Sequence, residues 1–107
     1  MRQVSKDITT SFLAGVANTK GNSWTDGMQL QLHNNTIAKK ENGRLYISNC
    51  GFETNTTKER LNAIGKLYHR KFNLYQKKDL YQKKGQWYIQ MSEKTQEFPS
   101  NEWFEVG

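Results

Sequence analysis

Scarcity is the first feature of this sequence of 107 residues. A single cysteine, Cys50, excludes an internal disulfide and any multi-cysteine zinc site, which fits a reducing compartment. Only His33 and His69 offer an imidazole, and neither they nor the scattered carboxylates have metal-ligand spacing, so no metal site is expected. There is no glycine-rich phosphate loop and no motif that calls for a cofactor. No apolar run approaches the length of a membrane span, and the first residues lack the apolar segment of a secretory signal. The expectation is a soluble cytoplasmic protein that does not engage membranes. One proline, Pro99, lies near the end, and hydrophobic residues make up only 35% of the chain. The core must be thin and completed by aromatics, of which there are three Trp, five Tyr and five Phe. The length suits one domain, residues 1–107.

What is plentiful is positive charge, and it is unevenly placed. The net charge is +6. Residues 58–84 hold nine Lys or Arg against Glu59 and Asp79, whereas residues 93–107 hold four acids against Lys94. A basic segment beside an acidic one suggests a polyanionic partner for the former.

Residues 44–64 carry the clearest local pattern. Leu45 and Ile47 alternate with Tyr46 and Ser48 as in a strand with one buried face, and Asn49-Cys50-Gly51 breaks the run. Thr56 and Glu59 have the spacing of a capping box. Leu61 and Ile64 recur at helical spacing, with Lys58, Arg60 and Asn62 turned outward and Gly65 as the left-handed stop.

Upstream, residues 5–16 predict a helix with Ser5 as N-cap, Asp7 in its first turn, and Ile8, Phe12, Leu13 and Val16 on one stripe. A loop to residue 27 follows, with Trp24 expected to plug the edge of the core. Residues 28–32, 36–41 and 44–48 predict a three-stranded antiparallel meander. Asn42-Gly43 is a type I′ hairpin signal, with Glu41 and Arg44 as a cross-strand ion pair. A two-residue turn there places Ala38 opposite Ile47 and Lys40 opposite Leu45. A second two-residue turn at Asn34-Asn35 would put Met28, Leu30 and Leu32 on the other face, so an odd loop or a bulge is expected near residues 33–36; burial of both faces, with Ile37 and Tyr46, is the alternative. Downstream, LYQKKD at 74–79 is echoed by LYQKKG at 80–85. The second copy predicts a C-terminal hairpin, residues 80–82 against 86–91, turning at Lys83-Lys84-Gly85, and the first a lengthened loop. The aromatic tail is expected to pack back on the sheet. The fold class is therefore α+β: an antiparallel sheet of meander plus C-terminal hairpin, an N-terminal helix and one short capped helix. Residues 1–27 form the N-terminal helix and loop, 28–91 the core and 92–107 the acidic aromatic tail.

The blocks TTKERLN at 56–62 and QKKGQWY at 82–88, within ISNCGFETNTTKERLNAI and YQKKGQWYI, resemble a group of small proteins encoded by tailed bacteriophages and related mobile elements. The resemblance covers roughly residues 30–89; the first LYQKK copy and the long tail depart from it. It implies a phage origin, a shared fold and residence in the host bacterial cell.

Three surfaces are candidates for function. The basic ribbon of Arg70, Lys71, Lys77, Lys78, Lys83 and Lys84, interleaved with Tyr68, Tyr75, Tyr81, Trp87 and Tyr88, has the lysine and aromatic content a single-stranded nucleic acid requires. The helix start, Thr54, Asn55, Thr56, Thr57 and Lys58, has the elements of an anion site, although capping explains the same residues. The tail offers Trp103 and Phe104 as anchors rimmed by Glu97, Glu102 and Glu105, either a protein interface or the closure of the core. Cys50 reads as a small buried hydrophobe at a strand end, so no enzyme is expected. The expectation is a non-enzymatic protein that binds nucleic acid or a host nucleoprotein complex. The alternative is an anti-CRISPR-like inhibitor acting by protein contacts. Exposed sheet edges leave a homodimer open.

Overall fold

The computed structural model describes residues 3–68, 72–77 and 86–106. Helix α1 (Gln3–Ala14) buries Ile8 and Phe12, one turn apart on a single stripe. It begins before Ser5, whose side chain is fully buried and serves as a link between helices, not as a cap. Leu13 is half-buried, and Val16, beyond the helix, is exposed. Lys40 closes the C-terminal end of α1 from the sheet: its ammonium donates to the Phe12, Leu13 and Gly27 carbonyls and lies over the Phe12 ring. A cation at the negative end of the helix dipole is favourable. Burial nevertheless pulls the Lys40 pKa below its ordinary value.

The region expected to be a loop contains a hairpin, β1 (Asn18–Lys20) and β2 (Ser23–Thr25). It continues through β3 (Gln29–Leu32), β4 (Asn35–Glu41) and β5 (Arg44–Ile47). Strand β9 (Phe104–Glu105) completes a six-stranded sheet in the order β1-β2-β3-β4-β5-β9. Asn42 and Gly43 both take positive φ, as the hairpin signal requires, and Ala38 faces Ile47 and Lys40 faces Leu45. The expected irregularity is a bulge. Leu30 faces Ala38 and Gln31 faces Thr36, so Ile37 is the extra residue. The turn before it is His33-Asn34, one residue earlier than Asn34-Asn35. The bulge puts Leu30 and Leu32 on the face of Ala38, Leu45 and Ile47, the face the two helices cover. Glu41 does face Arg44, but no ion pair joins them: Arg44 pairs with Glu105 at 2.7 Å and Glu41 with Lys39 at 3.2 Å. Strand β9 brings a second carboxylate within reach of Arg44 that the hairpin pattern does not reveal.

Helix α2 (Asn55–Leu67) is capped by Thr54, whose hydroxyl accepts from the Thr57 amide at 3.2 Å. The Thr56–Glu59 capping box does not form, because Glu59 has another task. Its carboxylate accepts from the Ser5 hydroxyl at 2.8 Å and lies 3.4 Å from Arg60. Arg60, expected outside, is buried between the helices and β2, donating to Ser23 and Ser5. A buried guanidinium needs such a set of acceptors. Gly65 is an interior helical residue where the Phe72 backbone crosses α2, and the helix runs on to Leu67.

Strands β6 (Asn73–Lys77), β7 (Gln86–Met91) and β8 (Lys94–Glu97) form a second, three-stranded sheet in place of a continuation of the first. Residues 74–77 of the first LYQKK copy therefore lie in strand β6, and β7 pairs with it, Leu74 opposite Ile89 and Tyr75 opposite Tyr88. The second copy, with the expected turn at Lys83-Lys84-Gly85, lies outside the described residues. Residues after Met91 pack back in two steps, β8 on β7 and β9 on β5. They bring Phe98 and Val106 into one core with Ile8, Phe12, Leu61, Ile64, Leu74, Trp87 and Ile89. No described helix is long and apolar enough to cross a membrane.

Candidate nucleic-acid interface

The alternation of β6 and β7 divides their side chains cleanly. Leu74, Trp87 and Ile89 point into the core. Asn73, Tyr75, Gln86, Tyr88 and Gln90 belong to the opposite face. There the half-buried Tyr75 and Tyr88 stack across the strands, ring centroids 5.6 Å apart and planes within 18°. Thr95 and Glu97 of β8 extend this face by one strand.

Helix α2 runs beside the free edge of β6. The Asn62 side chain fixes it there as an additional strand would, donating to the Leu74 carbonyl at 3.0 Å and accepting from the Leu74 amide at 2.6 Å. Between helix and sheet lies a groove of about 940 Å³. Asn55, Lys58, Asn62 and Lys66 line its helical side, and Asn73 and Gln90 its sheet side. Glu59 also lines it, with its carboxylate engaged by Ser5 and Arg60. Neither Lys58 nor Lys66 is paired with a carboxylate among the described residues. The arrangement is a concave, amide-rich channel with Lys58, Lys66 and the engaged Glu59 in its lining, beside a stacked aromatic pair with Glu97 opposite Tyr88.

Of the basic ribbon read from the sequence, Lys77 ends β6 opposite Gln86. Arg70, Lys71, Lys78, Tyr81, Lys83 and Lys84 lie outside the described residues. Lys58 reaches the groove, whereas Thr54, Thr56 and Thr57 line a separate cavity on the other side of the helix start. Asn62 is read from the sequence only as turned outward, and Lys66, Asn73 and Gln90 are not singled out; the helical spacing of Lys58, Asn62 and Lys66, four residues apart, is the signal that marks their common face.

The tail residues separate. Phe104 is half-buried against Phe98, ring centroids 5.6 Å apart, and so closes the core. Trp103 is 42% exposed beside the exposed Glu102, with the Lys39 ammonium 4.4 Å from its ring centroid. Trp24, expected to plug the core, is 40% exposed instead, because β2 turns it to the face of the six-stranded sheet away from the helices. Cys50 is half-buried at positive φ, its thiol donating to the Thr36 carbonyl.

The family model described as Kyanoviridae Gp96 protein matches residues 1–105. No curated protein and no solved structure matches the chain.

Proposed function

The chain belongs to the Kyanoviridae Gp96 protein family, a phage family, and we propose that it is a non-enzymatic protein that binds single-stranded nucleic acid along the α2–β6 groove and the outer face of β6–β7–β8. The observation that carries this reading is the stacked Tyr75–Tyr88 pair beside a groove whose Lys58 and Lys66 have no carboxylate partner among the described residues. Aromatic faces accept unpaired bases irrespective of sequence, and ammonium groups displace counterions from phosphates. Asn55, Asn73 and Gln90 add donors and acceptors suited to sugar and base edges.

Binding of fluorescent single-stranded DNA and RNA, followed by anisotropy from about 50 to about 200 mM salt, tests it. Tyr88→Ala is expected to weaken binding about fivefold or more, since stacking contributes roughly 1–3 kcal/mol per base. Replacing Lys58 and Lys66 by Gln is expected to flatten the salt dependence by about 0.7 in log–log slope per lysine. Absence of binding by the wild type at the lowest salt would refute the reading.

A second reading, inhibition of a host immune complex by protein contact, is favoured by one observation: Trp24 and Trp103 both stand exposed, Trp103 beside Glu102. Trp103→Ala in a folded protein that keeps nucleic-acid binding but loses inhibition of the host complex would select it.

A further inference from the structure

Two hairpin turns lie side by side at one end of the six-stranded sheet: Gly21-Asn22 between β1 and β2, and His33-Asn34 between β3 and β4. The His33 amide donates to the Asn22 carbonyl at 2.9 Å and joins them. A cavity of about 550 Å³ opens there, within the range of roughly 300–1,000 Å³ that small ligands occupy. Its aromatic wall is Trp24. The register sets Thr19 and Gln31 directly opposite Trp24 on the two neighbouring strands, so the three side chains form one row, indole in the middle, on the face turned away from the helices. Asn22, His33 and Asn34 close a third side, and no Lys, Arg, Asp or Glu lines the cavity.

Some of these polar groups are fixed by the protein and others are not. The buried Arg60 donates from Nε to Ser23 Oγ at 2.9 Å, which leaves the Ser23 hydroxyl proton for Asn22 Oδ1, 3.4 Å away. The Asn22 amide then donates to His33 Nε2 at 3.0 Å, so the neutral ring carries its proton on Nδ1. That N–H, the Gln31 and Asn34 carboxamides and the Thr19 hydroxyl have no partner among the described residues. Trp24 itself is 40% exposed. An indole face receives the C–H face of a sugar ring, whose hydroxyls project around its perimeter and call for partners on several sides. Carboxamides, which both donate and accept, serve neighbouring hydroxyls in pairs. A nucleobase also stacks, but its polar atoms occupy only part of its edge, and a nucleotide brings a phosphate for which this cavity has no Lys or Arg.

We propose that this cavity binds the ring of a neutral saccharide, stacked on Trp24 and hydrogen-bonded by Thr19, Gln31, His33 and Asn34. The ring is either a free sugar or one unit of a glycan chain. The cavity shares no lining residue with the α2–β6 groove, so the saccharide site and the nucleic-acid reading stand or fall separately.

The test is titration of the isotope-labelled full chain with glucose, galactose, mannose and N-acetylglucosamine, with adenosine as the control. The readout is the Trp24 indole N–H resonance together with the side-chain amide resonances of Gln31 and Asn34. At least one sugar is expected to shift all three with a millimolar dissociation constant, and adenosine to bind more weakly than that sugar. Trp24→Ala is expected to weaken the sugar about tenfold or more, and Trp24→Phe, which restores an aromatic face, to recover part of the loss. Gln31→Ala and Asn34→Gly each remove one carboxamide and are expected to weaken it about fivefold. Asn34 sits at φ 67°, so glycine keeps its turn and the variant tests the amide alone. Silence of the three resonances towards all four sugars overturns the proposal. So does adenosine bound as tightly as the best sugar, or sugar binding that survives Trp24→Ala. Tetrasaccharides of the sugar that binds assign the source: tighter binding than the monosaccharide indicates a glycan chain, and equal affinity indicates the free sugar.

Discussion

Removal of residues 92–107 is expected to yield an unfolded chain, and the single substitution Phe98→Ala to lower stability by about 3–5 kcal/mol. Phe98 is 1% exposed and lies between Trp87, on which it stacks, and Phe104, against which it is tilted, centroid distances 6.2 and 5.6 Å. Its amide donates to the Trp87 carbonyl, so the ring is delivered by the same backbone that extends β7 into β8. The tail also supplies Val106 to the core, Glu105 to Arg44 and the Asn101 amide to Asn49. Truncation leaves each of these partners facing water or nothing. Trp103→Ala is the control from the same segment: its indole is 42% exposed and engages Lys39 by a cation–π contact worth roughly 0.5–1 kcal/mol. Urea unfolding followed by circular dichroism separates the cases. A cooperative transition in the truncated chain would show that the core closes without the tail.

Gly65→Ala is expected to be destabilising, against the usual sign for a helix interior. In an open helix the change gains about 1 kcal/mol from intrinsic propensity. Here a Cβ on Gly65 would overlap the Phe72 carbonyl oxygen and press on its ring, and backbone cannot step aside as a flexible side chain does. Overpacking of this kind costs about 1–3 kcal/mol. It would also lever β6 away from α2 and strain the two Asn62 bonds to Leu74. The urea midpoint of the variant is therefore expected to fall, and an oligonucleotide that depends on the groove to bind less tightly; an unchanged or raised midpoint would mean that the close approach of Phe72 to the helix is absent.

Gly65 also illustrates what sequence could and could not convey. A glycine after Leu61 and Ile64 has the pattern of a helix stop, and nothing local distinguishes a stop from a crossing point for a distant strand. The Asn42-Gly43 hairpin was legible because its signal is intrinsic to the backbone: both residues must take positive φ, and the register of β4 on β5 follows. The bulge was legible in kind, since without it Leu30 and Leu32 would face away from Ala38 and Ile47.

Long-range competition defeated the rest. Thr54 and Thr56 are equivalent caps by composition, and the choice fell to Thr54 once Glu59 was drawn to Ser5 and Arg60. The two LYQKK copies are equivalent partners for β7, and only the three-dimensional placement of α2, through Asn62, selects the first. At the interface, Tyr75, Tyr88 and Lys58 belonged to patterns visible in the sequence. Their alignment with Lys66, Asn73 and Gln90 depends on β6 lying against α2, which no local pattern encodes.

We propose that a single strand occupies the channel between α2 and the three-stranded sheet. Backbone and side-chain amide shifts of the isotope-labelled protein, recorded while a short single-stranded oligonucleotide is added at low salt, test it most directly. The largest changes are expected on Asn55, Lys58, Asn62, Lys66, Asn73, Tyr88 and Gln90, the residues of the groove and the adjoining face. Changes gathered instead around Lys39, Tyr46 and Trp103 on the far sheet, or none at all, would contradict it.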